Sequence, residues 1–338
     1  MNKSRSTTNK QVRTFVNEND YANAAKLLLQ TQMNEWDKLH EGYKNLSSLK
    51  TKTFWFDGFK IKIQFNPERI FSTSAKVDVD SIKKRSCFLC EKNLPKEQKG
   101  IKLLENHLLL CNPYPVFPEH FTIVTANHKP QKISSSFKDF VILSKLLSDY
   151  YTIIYNGPQC GASAPDHLHF QTGTKYFMPI ENDFHSIINE FGDIMLDNEK
   201  LTLTAVDDGL RRFISLESTD DKILLKAFNI IYNELDNNNG EPMMNLICNY
   251  DEALGWKVIM FLRAKHRPSH YFLEGENQII FSPAAIDLGG VCILPFENDF
   301  YKIDKELIIS IFDEVTIGVN EFETLKVKLK KNISSKLL

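Results

Sequence analysis

The residues best placed to do chemistry in this 338-residue chain are Asp166-His167-Leu168-His169-Phe170-Gln171. They follow the loop Asn156-Gly157-Pro158-Gln159-Cys160-Gly161-Ala162-Ser163-Ala164-Pro165. In an extended strand side chains alternate between faces, which puts His167, His169 and Gln171 on one face and anchors Leu168 and Phe170 in a core on the other. The Gly, Ser and Pro upstream let loop N–H groups approach an anion closely. A neutral imidazole attacks phosphorus when its second nitrogen is held as a donor, typically by a backbone carbonyl, and the product is a phosphoramidate. Gln171 can donate its amide to a nonbridging oxygen as negative charge shifts.

A second constellation is Cys87-Phe88-Leu89-Cys90. Six cysteines are too few for a disulfide framework in a chain of this length, and a two-residue gap suits a metal knuckle or a redox pair. Tetrahedral zinc commonly joins such a knuckle to two histidines from elsewhere in the fold. His128 and His167 are the expected partners, with His107 and His120 in reserve. Giving His167 to the metal leaves His169, about 7 Å along the same strand face, free as nucleophile. The metal then rigidifies the strand without touching substrate. A pair of inert buried cysteines and a thiol-redox pair are the rival readings, the latter requiring a reversible disulfide and no stoichiometric zinc.

These groups need elements to position them. The 42% hydrophobic content is ample for a packed core, and the formal charge of -2 gives no global pull towards nucleic acid or anionic membrane. Residues 1–13 are polar and basic and lack the apolar run of a secretory signal, and no segment approaches a membrane span, so a cytoplasmic protein is expected. One or two helices are predicted over residues 12–49, with capping residues at 17–20, and alternation around Asp57-Gly58 predicts a hairpin over 53–65. Arg69, Ser72, Thr73, Ser74 and Lys76 then offer groups that reach a phosphate or ribose, or simply a solvated loop.

Strands are predicted at 108–118 and 121–125, separated by Pro118-Glu119-His120, with Asn112-Pro113-Tyr114-Pro115 forcing an extended bend in the first, followed by a helix running into a strand over 137–155. Beyond Pro179 the order partly recurs, with a strand at 210–216, a helix at 222–235 and strands at 243–249 and 256–262. This reads as a weak internal duplication in which 256–262 takes the place of the histidine strand without a His pair. Arg263 and Lys265 leave that strand in a basic run suited to phosphate recognition or to an exposed polar loop. A helix over 307–325 and a frayed Lys-rich tail end the chain.

Asn112-Pro113-Tyr114-Pro115, Phe121-Thr122-Ile123-Val124 with His128, and His167-Leu168-His169-Phe170-Gln171 together resemble the histidine-triad superfamily in its nucleotidyltransferase and phosphorylase branch. That branch includes galactose-1-phosphate uridylyltransferase, diadenosine tetraphosphate phosphorylase and GDP-L-galactose phosphorylase; the histidine string is closest to the last. The resemblance implies an α+β fold of two related halves, each an antiparallel sheet with packed helices: a helical segment at 1–50, a catalytic half at 51–195 and a degenerate half at 196–338. It implies His169 as covalent nucleophile, Gln171 in place of the third histidine of the hydrolases, and structural zinc on Cys87, Cys90, His128 and His167. Expected substrate contacts are Asn112, Asn156, Gly161, Ser163, Arg69, Lys76, Arg263 and Lys265. The implied substrate is a nucleoside diphosphate sugar or dinucleoside polyphosphate, the acceptor phosphate or a sugar phosphate, and relatives often form homodimers. Leu168 and Phe170 depart from the Pro and Gly of the uridylyltransferases, which leaves leaving group and acceptor open. A hydrolase of the same superfamily and a zinc-stabilised binding module without turnover are the competing functions.

Overall fold

The computed structural model describes residues 20–70, 77–236 and 240–337. Helix α1 (Tyr21–Glu35) starts behind Asp20, whose carboxylate accepts from the Asn23 N–H at 3.3 Å, and α2 (Asp37–Leu46) follows after Trp36. Strands β1 (Lys50–Phe56) and β2 (Phe59–Phe65) form the expected hairpin. Phe56 pairs with Phe59 across Asp57-Gly58, and Gly58 takes the φ of +76° that so tight a turn requires. Next come α3 (Val79–Lys84), β3 (Gly100–Leu103), β4 (His107–Cys111), β5 (His120–Thr125), α4 (Phe137–Leu146), β6 (Tyr151–Asn156) and β7 (His169–Thr174). The second half holds α5 (Pro179–Phe191), β8 (Gly192–Asn198), β9 (Leu201–Asp207), β10 (Arg212–Ser218), α6 (Asp221–Glu234), β11 (Met244–Asp251) and β12 (Gly255–Leu262). Helix α7 (Ala285–Leu288), β13 (Val291–Leu294), α8 (Glu297–Lys302), α9 (Lys305–Val315) and α10 (Val319–Leu337) close the chain.

Ten strands make one sheet in the order β3-β4-β5-β7-β6-β11-β12-β10-β9-β8, with antiparallel neighbours throughout. Its two five-stranded parts have the same internal order, read outwards from the β6–β11 seam. Matching the end of β5 to that of β10 (Thr125, Ser218), the start of β6 to that of β11 (Tyr151, Met244) and the end of β7 to that of β12 (Thr174, Leu262) preserves both cross-strand registers. The halves are therefore related by a local two-fold axis. It passes between Ile154 and Ile247, which face each other across the seam and are each other's counterparts. Asn156 corresponds to Asn249 on this matching, while Lys257 and Ile259 stand where the first half has His169 and Gln171. The expected duplication is thus a duplication of topology, and the histidines belong to one copy.

Each face of the sheet carries a core. Leu168, Phe170, Val258 and Met260 join α1, α4, α6 and α10 on one side. On the other, Ile154, Ile247, Ile259 and Phe261 pack against α5, α7 to α9 and a small sheet in which β13 pairs with β2 in parallel. Since Leu168 and Phe170 occupy the first core, His169 and Gln171 project to the opposite face.

Several boundaries differ from expectation. The histidine strand begins at His169 rather than Asp166, because a turn at Pro165-Asp166, closed by the His167 N–H to the Ala164 carbonyl at 3.1 Å, precedes it. The helix expected over 307–325 is two helices parted at Thr316-Ile317-Gly318, and α10 continues to Leu337 where fraying was expected. The expected division at residue 195 falls inside β8. Among the described residues no helix is long and apolar enough to cross a membrane.

Candidate active site and metal centre

Two buried carbonyls decide what the two histidines can do. His167 Nε2 lies 2.8 Å from the Thr125 carbonyl and His169 Nδ1 lies 2.8 Å from the His167 carbonyl. A carbonyl only accepts, so each of these nitrogens is the protonated one. His167 is left with a lone pair on Nδ1 and His169 with a lone pair on Nε2. Because His167 precedes the strand, its ring swings away from His169, towards the cysteines.

His167 Nδ1 lies 3.2 Å from Cys87 Sγ and 3.6 Å from Cys90 Sγ, and His128 Nδ1 lies 3.3 Å from Cys90 Sγ. All four ligand atoms fall within 4.8 Å of one another. A tetrahedral ion with bonds of about 2.0–2.3 Å has edges of about 3.5 Å, so the cluster has the dimensions and the donor set for a metal ion. The knuckle is shaped by the Cys90 N–H bonding the Cys87 carbonyl at 3.3 Å, and Asn93 Nδ2 donates to the same carbonyl at 2.7 Å. Burial raises the Cys87 thiol pKa, but His167, the Leu89 N–H and Cys90 together outweigh it and bring it down to about 6, in favour of a thiolate. Asp166 lies 3.7 Å from His128 Nε2 and bonds Arg85, which sets a carboxylate behind an imidazole of the cluster. The reserve candidates fall elsewhere. His107 stacks on Phe170 with ring centroids 6.2 Å apart, and His120 serves the other site. All six cysteines are free thiols.

On the opposite face, His169 is 4% exposed and its ring is neutral at ordinary pH. Burial lowers its pKa to about 4, partly offset by the His167 carbonyl. Its backbone is clamped by Gln131: the His169 N–H donates to Gln131 Oε1 at 2.8 Å, and Gln131 Nε2 donates to the His169 and Asn156 carbonyls, each at 2.9 Å. Gln171 is oriented by a chain that begins at an unambiguous donor. The Val116 N–H donates to His120 Nδ1 at 3.1 Å, so His120 Nε2 carries the proton and donates to Gln171 Oε1 at 2.9 Å. That leaves the amide N–H groups of Gln171 turned away from His120. Burial lowers the His120 pKa to about 3, further helped by the charge of Arg69, which keeps the relay neutral. Neither Gln131 nor the role of His120 was foreseen; nothing in their spacing marks them, since both act through residues distant in sequence.

The expected substrate contacts separate into two groups. Asn112 is half-buried and reaches Thr122 Oγ1 at 3.4 Å, and Thr122 is the cross-strand partner of Gln171. Arg69 is half-buried, within electrostatic reach of His120 and Asp287. Gly161 adopts φ +96°, and a Cβ there would come 2.7 Å from that of Ala284; Ser163 is half-buried on the same loop. Asn156 is buried, with Oδ1 accepting from Asn245 Nδ2 at 2.7 Å and the Ala285 N–H at 2.9 Å. Arg263 makes five bonds to protein oxygens, on Val315, Asn245, Pro283, Lys265 and His266, as a buried guanidinium must. Lys265 is an exposed cation paired with Glu314 at 2.9 Å. These two therefore hold protein rather than face His169. Ser72, Thr73, Ser74 and Lys76 lie outside the described residues.

Residues 28–174 match the family model of a domain of unknown function (DUF4922), and residues 189–336 match that of the GDPGP1-like, C-terminal domain. None of the curated proteins compared with the chain matches it. Among solved structures, yeast Ap4A phosphorylase Apa2 in complex with Ap4A is similar with a TM-score of 0.60 at 13% identity, over 87% of this chain and 98% of that one. The same yeast enzyme in complex with AMP gives 0.56 at 15% identity, over 86% and 97%. At such identities the likeness is one of fold, and it runs through both halves. With two antiparallel halves fused along one seam and the second of them matching the GDPGP1-like, C-terminal domain, the chain has the fold of the yeast phosphorylase structures.

Proposed function

We propose that this protein is a nucleotidyltransferase or phosphorylase that works in two steps through a nucleotidyl group carried on His169. The observation that carries the reading is the pair of fixed polarities on one sheet face. His169 Nδ1–H is spent on the His167 carbonyl at 2.8 Å, and Gln171 Oε1 is spent on His120 at 2.9 Å. An electron pair at His169 Nε2 and N–H donors at Gln171 are what remain. In the first step Nε2 attacks the α-phosphorus of a dinucleoside polyphosphate or a nucleoside diphosphate sugar, the phosphoanhydride P–O bond breaks, and a nucleotide or sugar 1-phosphate leaves. The ring gains positive charge, which the His167 carbonyl stabilises through Nδ1–H. Gln171, Ser163 and loop N–H groups hold the nonbridging oxygens. In the second step an oxygen of inorganic phosphate or of a sugar phosphate attacks the same phosphorus and releases Nε2.

The Cys87, Cys90, His128 and His167 cluster fits zinc, which would supply rigidity rather than chemistry. His167 holds its carbonyl towards His169 while its Nδ1 faces the knuckle, so the ligand set and the nucleophile are joined by one residue. The yeast phosphorylase likeness supports a polyphosphate substrate of this class. The catalytic unit is placed from about residue 51 to α5, with β8 to α10 as the degenerate partner.

The test is intact-mass measurement after incubation with a panel of dinucleoside tetraphosphates and nucleoside diphosphate sugars. One nucleotidyl mass should appear, name the base, and vanish on adding inorganic phosphate or a sugar 1-phosphate. His169→Ala should form no adduct; transfer at the wild-type rate in that variant would sink the mechanism. A wild-type product that forms equally fast without any phosphorylated acceptor would mark a hydrolase instead.

A further inference from the structure

The half that lacks the His167–His169 pair also reaches towards the site. Asn245, on β11, faces Asn156 of β6 across the seam and is fully buried. Its two amide protons are both committed, to Asn156 Oδ1 at 2.7 Å and to the Cys160 carbonyl at 2.7 Å, and its Oδ1 accepts from Arg263 at 2.6 Å. From there the bonds run without a gap to the nucleophile. The Asn156 carbonyl accepts from Gln131 Nε2, and Gln131 brackets the backbone N–H and C=O of His169 at 2.8 and 2.9 Å. The bond to Cys160 fixes the middle of the glycine-containing loop, which the Gly157 N–H also ties to the Met244 carbonyl at 3.1 Å.

The geometry points to Asn245 as a positioning residue for transfer at His169, setting the phosphate-facing loop and the nucleophile's backbone in one frame. This rests on His169 being the nucleophile. The two-fold relation gives the contrast that separates a site role from a merely structural one. The counterpart of Asn245 is Thr152, which bonds Glu181 of α5, as Asn249 also does. Sheet pairing alone is therefore satisfied at this position by a threonine. What Asn245 adds is a pair of N–H donors aimed at a loop that has no equivalent between β11 and β12, where the connection is a short turn.

Asn245→Asp keeps the shape and the bond to Arg263 but turns an oxygen on the Asn156 and Cys160 oxygens. Asn156 cannot answer by flipping its amide, because Oδ1 also accepts from Ala285. Asn245→Thr installs the residue type of the counterpart and covers the case in which the aspartate fails to fold. Each full-length variant is compared with wild type in single-turnover adduct formation with a dinucleoside tetraphosphate or nucleoside diphosphate sugar that labels the wild type. Amide hydrogen exchange over residues 157–164 is followed without substrate.

The expected result is a loss of about tenfold to about a hundredfold in adduct rate, with the half-saturating substrate concentration within about twofold and faster exchange confined to that loop. An unchanged rate overturns the proposal, as does a loss that tracks global unfolding or falls on half-saturation alone. If wild type itself forms no adduct, the reading of His169 fails. Exchange then judges Asn245's hold on the loop alone: unaltered protection at 157–164 overturns it, and a selective rise sustains it.

Discussion

At the level of single residues, the site works by subtraction: partners occupy one end of each functional group and thereby determine what the other end offers. His120 is the clearest case, since it contributes only by accepting from Val116 and donating to Gln171. Gln171→Glu should cut adduct formation about 10²-fold or more, as a carboxylate repels phosphate and offers no proton. His120→Phe, of similar bulk, should lose less, about tenfold, with the amide present but unaimed. Stopped-flow or quench-flow adduct formation checks both, and equal losses would contradict that ranking of the two residues. The pKa shifts also make a signed claim. His169 and His120 titrate near 4 and 3 in the folded chain, below the ordinary 6.5. As pH falls from 6.5 the unfolded chain takes up protons first, so stability declines towards pH 4 and is fully present above 6.5. Urea midpoints measured across that range should show the decline, and His169→Asn should flatten part of it. The adduct rate itself should show no midpoint near 6.5.

The clustering of Cys87, Cys90, His128 and His167 and the shared face of His169 and Gln171 were legible because the types and spacings of these residues are chemical signatures in themselves. Gln131, His120 and Asn245 were not, because a hydrogen bond between residues 51 or 89 positions apart leaves no trace in local sequence. Arg263 misled for the converse reason. A basic run reads the same whether its guanidinium faces phosphate or, as in this fold, five protein oxygens.

Among the elements, the segment from α3 through the cysteine knuckle and the loop from β6 to β7 bear the greatest local constraint. The knuckle has only a small apolar cluster of its own, formed by Cys87, Leu89, Leu110, Val124 and Ala164. Its order therefore depends on the ligand cluster. Cys87→Ser with Cys90→Ser should abolish stoichiometric zinc, lower the melting temperature and slow adduct formation through loss of the His167 carbonyl's fixed position. Elemental analysis and thermal melts read the first two, and retention of full activity without metal would argue against any link between the sites. Gly161→Ala meets both a positive φ and the Ala284 methyl at 2.7 Å, and should cost about 1–3 kcal/mol in denaturant unfolding. The hairpin at Asp57-Gly58 was predictable from its turn residues. The start of β7 was not, because period-2 alternation over six residues looks the same whether or not the first three form a turn.

For the whole molecule, the two-fold relation sets Lys257 and Ile259 where the first half has His169 and Gln171. Lys257, in the position of His169, is half-buried with its ammonium 3.8 Å over the Phe184 ring, and burial lowers its pKa. Its neighbours Thr152 and Asn249 are engaged by Glu181 of α5. Saturating labelling should therefore stop at one nucleotidyl group per chain by intact mass; a second equivalent would show that the other half had kept a working centre.

The bond from Glu241 to the Ile133 N–H at 2.8 Å carries a related consequence. It lies two residues from Gln131 and crosses from one half to the other, as Asn245 does. A random mutational scan scored only for lost activity would not outline the histidine-bearing domain. Its hits would spill over the seam onto the near end of β11, and a reader of that map alone would assign catalysis to residues that never meet the substrate.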